Sequence, residues 1–274
     1  MEKIKFERTP VVCISNQKGG VGKSTTADNL VACMADRGYK TLLVDFDPQG
    51  TATSGVGFVP RETKPAMYEV VVEDLPIREI IRKVDWAENL WLAPSNLDLS
   101  AAEFKLITMV DGWRSLSRVL RDVREDYDIV IIDTPPSLGI LAINVLIASD
   151  YVIIPIEPQF APLEGIPLMW EVLKLVRKRA EHKIDILGYL FTKVRARVKL
   201  GRDVREKVRK ELGEEVFETE IPLNTDVATA HRYGLPVVKW KPSARGAEAY
   251  EKFSEEFLKR LAVAEGILEK EVVT

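Results

Sequence analysis

Cysteine is almost missing from this chain: Cys13 and Cys33 are the two it has among 274 residues. Neither sits in a C-x-x-C pair or a Cys/His cluster. The sequence therefore offers no thiolate metal site, and both residues read as small buried hydrophobes of a reducing compartment. Long apolar runs are missing too, and none approaches the roughly 20 residues that a membrane-spanning helix needs. Residues 1–8 are charged and hold no apolar core of a secretory leader, so the expected location is the cytoplasm. An excess of one charge is also lacking. The chain carries 39 Lys and Arg against 42 Asp and Glu, a net charge of −3, which excludes a global attraction to nucleic acid. Internal repeats, low-complexity tracts and obvious linkers are absent.

What remains is 46% hydrophobic and 30% charged, the balance of an ordinary globular protein. The length suits one large α/β domain over residues 1–274, with 1–9 as a short tail and 247–274 as a terminal helix. Apolar, β-branched runs occur at 11–15, 41–45, 90–93, 128–133, 151–156 and 184–191, with a shorter one at 237–240. Helical stretches separate them, and 58–76 reads as an excursion with one short helix. This alternation predicts a mostly parallel, twisted sheet with helices on both faces and ligands at the carboxyl ends of its strands.

The segment Lys18-Gly19-Gly20-Val21-Gly22-Lys23-Ser24-Thr25 follows the first run directly. Its glycines permit φ > 0 and let the backbone approach a ligand closely. A helix is expected over 25–37, stopped by Gly38. Strand, glycine loop and helix N-terminus together aim backbone N–H groups and the positive helix end at phosphate. Lys23 is placed to reach β- and γ-phosphates, and Ser24 to ligate Mg²⁺. The ordinary G-x-x-x-x-G-K-[ST] pattern would need glycine at position 17, where this chain has Gln17.

Two later strand ends carry acids. The second strand runs into Asp45-Phe46-Asp47-Pro48-Gln49-Gly50, and carboxylates spaced i, i+2 point the same way if the strand continues. The fourth ends in Asp133-Thr134-Pro135-Pro136, a Walker B pattern whose carboxylate holds Mg²⁺, usually through water.

The doubled lysine, Lys18 with Lys23, resembles the deviant Walker A loop of the ParA/MinD family of P-loop ATPases. The resemblance runs from about Pro10 to Leu258. It takes in Pro94-Ser95-Asn96-Leu97-Asp98, Pro155-Ile156-Glu157-Pro158-Gln159 with Leu163-Glu164-Gly165, Ile221-Pro222, Gly234-Leu235-Pro236 and Arg245-Gly246-Ala247-Glu248-Ala249-Tyr250. The last block is more similar to the DNA-partitioning ParA/Soj branch than to MinD. The resemblance implies a P-loop NTPase fold, ATP and Mg²⁺ as ligands, and ATP-driven homodimerisation through Lys18 in trans. It also implies slow ATP hydrolysis stimulated by a ParB-like partner. By the same match Asp47 orients the attacking water, Asp45 supports the metal with Ser24 and Asp133, and Thr192 and Pro222 lie at the adenine. The chain departs from the family in having Thr51 where Asn is frequent. No cysteine follows Cys33, which argues against the nitrogenase iron protein.

Lys193, Arg195, Arg197, Lys199, Arg202, Arg205, Lys207, Arg209 and Lys210 form a dense basic stretch broken by Asp203 and Glu206. Such a cluster suits non-specific, salt-sensitive contact with double-stranded DNA. The other reading is a solvated helix held by i, i+4 ion pairs. Arg197 corresponds to an arginine of Soj-like proteins that binds DNA, and Lys241 and Arg245 extend the set. The arginines frequent after the Ile-Pro pair are replaced here by Leu223, Asn224, Thr225 and Asp226. A MinD-like switch on a membrane or protein cargo is the alternative function, and a P-loop metabolic kinase a third. The stripe Phe253, Phe257, Leu261 predicts a last helix packed on the core rather than on a membrane.

Overall fold

The computed structural model describes residues 3–158 and 162–269. The strands are β1 (Val11–Ile14), β2 (Thr41–Asp45), β3 (Arg82–Lys83), β4 (Leu90–Ala93), β5 (Ile129–Asp133), β6 (Tyr151–Ile156), β7 (Asp185–Val194) and β8 (Val216–Pro222). They form one sheet in the order β3-β4-β2-β5-β1-β6-β7-β8, parallel except for β3 on the edge. The helices are α1 (Lys23–Asp36), α2 (Thr51–Gly55), α3 (Met67–Val72), α4 (Leu99–Thr108), α5 (Ser115–Leu120), α6 (Ile140–Ala148), α7 (Pro162–Arg179), α8 (Lys199–Leu212), α9 (Thr225–Arg232), α10 (Val237–Trp240) and α11 (Arg245–Ala264).

Strand residues alternate between two cores, because successive side chains point to opposite faces. Val11, Cys13, Leu42, Val44, Val130 and Ile132 join Met67, Leu99, Leu116 and Leu141 on one face. Val12, Ile14, Leu43, Ile129 and Ile131 join Leu30, Met34, Val237 and Phe253 on the other. Helices thus cover both faces, which explains why the central strands read as continuous apolar runs. Phe253, Phe257 and Leu261 are fully buried, each contributing about 1.5–3 kcal/mol relative to exposure. Both cysteines are free and buried, and burial pushes the Cys13 thiol up to about 12.

Four elements differ from the sequence expectation, one being the two-residue edge strand β3, where no apolar run occurs. Residues Val237–Trp240 are a short helix, not a strand: Pro236 precedes it, and Lys239 and Trp240 N–H both donate to the Pro236 carbonyl. A four-residue apolar run carries too little periodicity to separate the two states. Strand β8 was not expected, since Glu218 and Glu220 interrupt its apolar run as an edge strand allows. The terminal helix stops at Ala264, with Gly266 at φ 71° two residues on. Residues 270–274, over which it was expected to continue, lie outside the described residues, as do Gln159 and the side chains of Leu163 and Glu164.

Candidate functional site

Strand β1 lies between β5 and β6, so its carboxyl end opens where the chain order reverses across the sheet. The loop that follows is anchored at its base. Ser15 N–H donates to Ile153 O (3.0 Å), and Asn16 Nδ2 to Pro155 O (2.7 Å). Asn16 Oδ1 accepts from Lys18 N (3.0 Å), an Asx turn that starts the loop. Gly20 and Gly22 have φ of 72° and 88°, the left-handed region that favours glycine. Helix α1 begins at Lys23 with no side-chain cap and no acid in its first turn. Its positive end is therefore left for an anion.

Lys23 is 6% exposed, and its Nζ lies 3.4 Å from the Lys18 carbonyl. Burial lowers its pKa, while Asp133 and Asp47 pull it back up. Lys18 is exposed, and its ammonium has no ion pair among the described residues. The two loop lysines thus have different fates: one is held inside the site, the other projects from it.

The acids gather beneath the loop. Asp45 and Asp133 are register partners at the ends of β2 and β5, and Ile14 pairs with Asp133 from β1. Both are fully buried. Asp45 is engaged: Oδ2 accepts from Thr53 N and Oγ1, both at 2.7 Å, and Oδ1 from Asp47 N at 3.1 Å. Burial raises its pKa to about 6 against those hydrogen bonds. Asp133 is the opposite case. Neither of its oxygens has a hydrogen-bond partner among the described residues. Burial, then the Asp45 charge, pushes its pKa well up, with the Ser24 hydroxyl and Lys23 acting the other way. Asp28 on α1 is 3% exposed with Oδ1 unpartnered, and it too is pushed well above the carboxylate range, by burial first and then by Asp133 and Asp45.

A buried carboxylate with two free oxygens, next to a helix hydroxyl, fits a hard divalent cation. Ser24 and Asp133 are the residues that would hold it, with Asp45 ordering the adjoining loop. Asp47 does not reach the site along a continuing strand. The strand ends at Asp45, and Asp47 starts a turn in which Gly50 N–H donates to its carbonyl and Gln49 N–H to its Oδ1, both at 2.9 Å. The turn still leaves Asp47 close enough to Lys23 for each to shift the other.

The Thr192 hydroxyl donates to Val21 O (2.7 Å), so it braces the loop. Pro222 is half-buried at the end of β8, opposite Val194. Arg195, Arg197, Lys199, Arg202 and Arg245 are exposed. Arg205 leaves the basic face: its Nε lies 3.2 Å from Glu220, which also takes Arg209 at 3.1 Å, and its side chain is 14% exposed. Lys241 pairs with Asp226 at 3.2 Å, the acid that stands where the family favours basic residues. Asn16 and Thr53, which order the loop and Asp45, were not singled out by the sequence reading. Asn at the mouth of a glycine loop is an Asx-turn signal that would have found the first.

A glycine loop over an uncapped helix and a buried, unpaired acid at the next strand's end define a P-loop nucleotide-binding protein. An AAA domain of the AAA_31 family matches residues 9–186. The chain is 42% identical to the sporulation initiation inhibitor protein Soj of Bacillus subtilis, over 88% of this chain and 94% of that one. It is 36% identical to the chromosome partitioning protein ParA of Myxococcus xanthus, over 91% and 88%. Among solved structures, it is similar to a cobyrinic acid a,c-diamide synthase of Mycobacterium smegmatis with bound ADP and magnesium (TM-score 0.82, 30% identity, 93% of this chain and 96% of that one). It also shares its fold with the septum site-determining protein MinD of Pyrococcus horikoshii complexed with Mg-ADP (TM-score 0.77, 23% identity, 94% and 98%). The chain belongs to the ParA/MinD family of P-loop ATPases.

Proposed function

We propose that this chain is a partition ATPase of the Soj/ParA type, which binds ATP with Mg²⁺, closes into a dimer, rides non-specifically on DNA and leaves it after hydrolysis. The carrying observation is the uncapped α1 N-terminus with buried Lys23 on one side and unpaired Asp133 on the other. Bound Mg²⁺ would neutralise charge on the β- and γ-phosphate oxygens. Lys23 would hold those phosphates from within the loop. Exposed Lys18 would serve a nucleotide on the facing subunit. Asp47 would orient the attacking water, and the reaction relies on positioning and charge stabilisation. ATPase function agrees with the Treponema pallidum and Thermus thermophilus relatives, each named a chromosome-partitioning ATPase Soj.

The DNA face in this reading is Arg195, Arg197, Lys199 and Arg202, on the loop after β7 and the first turn of α8, with Arg245. Among the described residues no helix is long and apolar enough to cross a membrane. The apolar stripe of α11 is spent on the core. The buried stripe favours DNA over the membrane form of the switch. A ParB-like protein would be the stimulating partner, and the nucleoid the working location.

The test is phosphate release and sedimentation with ATP and with ADP. The reading expects ATP-dependent dimers and slow turnover. Monomers in both nucleotides, with turnover nonetheless, would overturn the dimer switch.

A further inference from the structure

The last residues of β7 hold the phosphate loop from behind. Opposite β8, Phe191 pairs with Glu220 and Val194 with Pro222, so β7 spends one more residue than its partner between those points. That extra residue makes a bulge at Thr192-Lys193, and Lys193 adopts φ 53°, a left-handed conformation for a non-glycine residue. Bulges re-aim side chains and recur beside functional sites. Here the bulge turns two consecutive side chains onto the loop. The Lys193 ammonium donates to the Gly20 carbonyl, and the Thr192 hydroxyl to the Val21 carbonyl (2.7 Å). Thr192 also packs on Gly22, where a Cβ would meet its methyl and Cβ at 3.9 Å.

Each of those carbonyls belongs to a planar trans peptide whose N–H points the opposite way. Drawing the Gly20 and Val21 carbonyls toward β7 therefore turns the Val21 and Gly22 N–H groups away from it. Two of the loop's donors are thus set by side chains that lie outside the loop.

We propose that Thr192 and Lys193 are positioning residues for phosphate, holding the Gly20–Val21 and Val21–Gly22 peptides so that their N–H groups face the bound diphosphate. The proposal rests on the nucleotide reading above. It gives these residues a task other than base or DNA contact. It also ties the phosphate loop to the exposed basic segment, since Arg195 lies two residues beyond Lys193.

The test is calorimetric titration of Mg-ADP and of Mg-pyrophosphate into wild type, Lys193→Met, Lys193→Arg, Thr192→Val and Thr192→Ser, with the melting temperature of each free protein. Loss of one charge-assisted hydrogen bond should weaken both ligands about tenfold in Lys193→Met. Lys193→Arg and Thr192→Ser, which keep a donor, should stay within about threefold of wild type. Lys193 is partly exposed, so the free Lys193→Met protein should melt as wild type does. Three results would overturn the proposal: wild-type affinity in Lys193→Met, no rescue by arginine, or weakening that merely follows a lowered melting temperature. Wild type that binds neither ligand would overturn the nucleotide reading itself.

Discussion

Replacing Asp133 by Asn should stabilise the nucleotide-free protein and remove its response to magnesium. The carboxylate is fully buried at the end of β5, neither oxygen has a partner among the described residues, and Asp45 is its neighbour across the ladder. An ionised group so placed costs on the order of 1–3 kcal/mol. Asn keeps the shape and removes the charge. For a chain of this length ~1 kcal/mol moves the melting point by about 2–4 °C, so a gain of roughly 2–12 °C is expected near pH 8. The sign of the pH dependence follows from the raised pKa. A carboxyl whose pKa is higher in the fold than in the unfolded chain contributes stability that is fully present below the unfolded value. That contribution is lost as pH rises through the folded value. Wild type suffers this loss and Asn does not, so the advantage of Asp133→Asn should be small near about pH 4 and grow toward about pH 8. Thermal melts across that range, with and without Mg-ADP, make the comparison. Wild type should gain stability from magnesium beyond that from ADP alone, and the variant should not. A variant that melts below wild type near about pH 8, or that keeps the magnesium gain, refutes the reasoning.

Other perturbations separate the remaining roles. Lys18→Ala should retain Mg-ADP affinity within about threefold while losing ATP-dependent dimers and turnover, and wild-type turnover in it would end the in-trans role. Asp47→Ala should trap an ATP-bound dimer that sediments as such without releasing phosphate; normal hydrolysis would contradict its water-orienting role. Arg197→Glu should abolish DNA binding without lowering the melting point, whereas Arg205→Glu should destabilise the fold by about 2–4 kcal/mol by facing Glu220 with a second acid, and equal effects on DNA alone would put Arg205 back on the basic face. Gly55→Ala should lower the melting temperature, because its Cβ would come 2.0 Å from Asp28 Oδ2, which must move.

The phosphate loop was legible in the sequence because its chemistry is local. Glycines at left-handed positions, Lys23, Ser24 and the following helix lie within a few consecutive residues, and no distant partner is needed to read them. Asp133 was legible because a β-branched run ending in an acid is a pattern of one strand. The strands at 41–45, 90–93 and 151–156 appear with those bounds, since burial on both faces leaves an uninterrupted apolar run. What the sequence concealed depends on contacts across the sheet. Asp45 looked like a second free acid until Thr53, eight positions on, was seen to fill it. Arg205 looked like one of a basic series until β8, a strand not expected, brought Glu220 beneath it. The bulge at Thr192-Lys193 is a mismatch between two strands, and one strand alone holds no trace of it. The edge strand β8 and the short helix at Val237–Trp240 were misread where apolar runs were brief or broken by charge.

In the proposed function, nucleotide state controls DNA binding through one exposed basic face. Its most direct test is fluorescence anisotropy on random-sequence duplex DNA with ATP/Mg²⁺ and with ADP/Mg²⁺. Tight binding is expected with ATP alone, weakening by orders of magnitude between roughly 50 and 200 mM salt as phosphate contacts are lost. Equal binding in the two nucleotides, or none in either while ATP-dependent dimers still form, would contradict it.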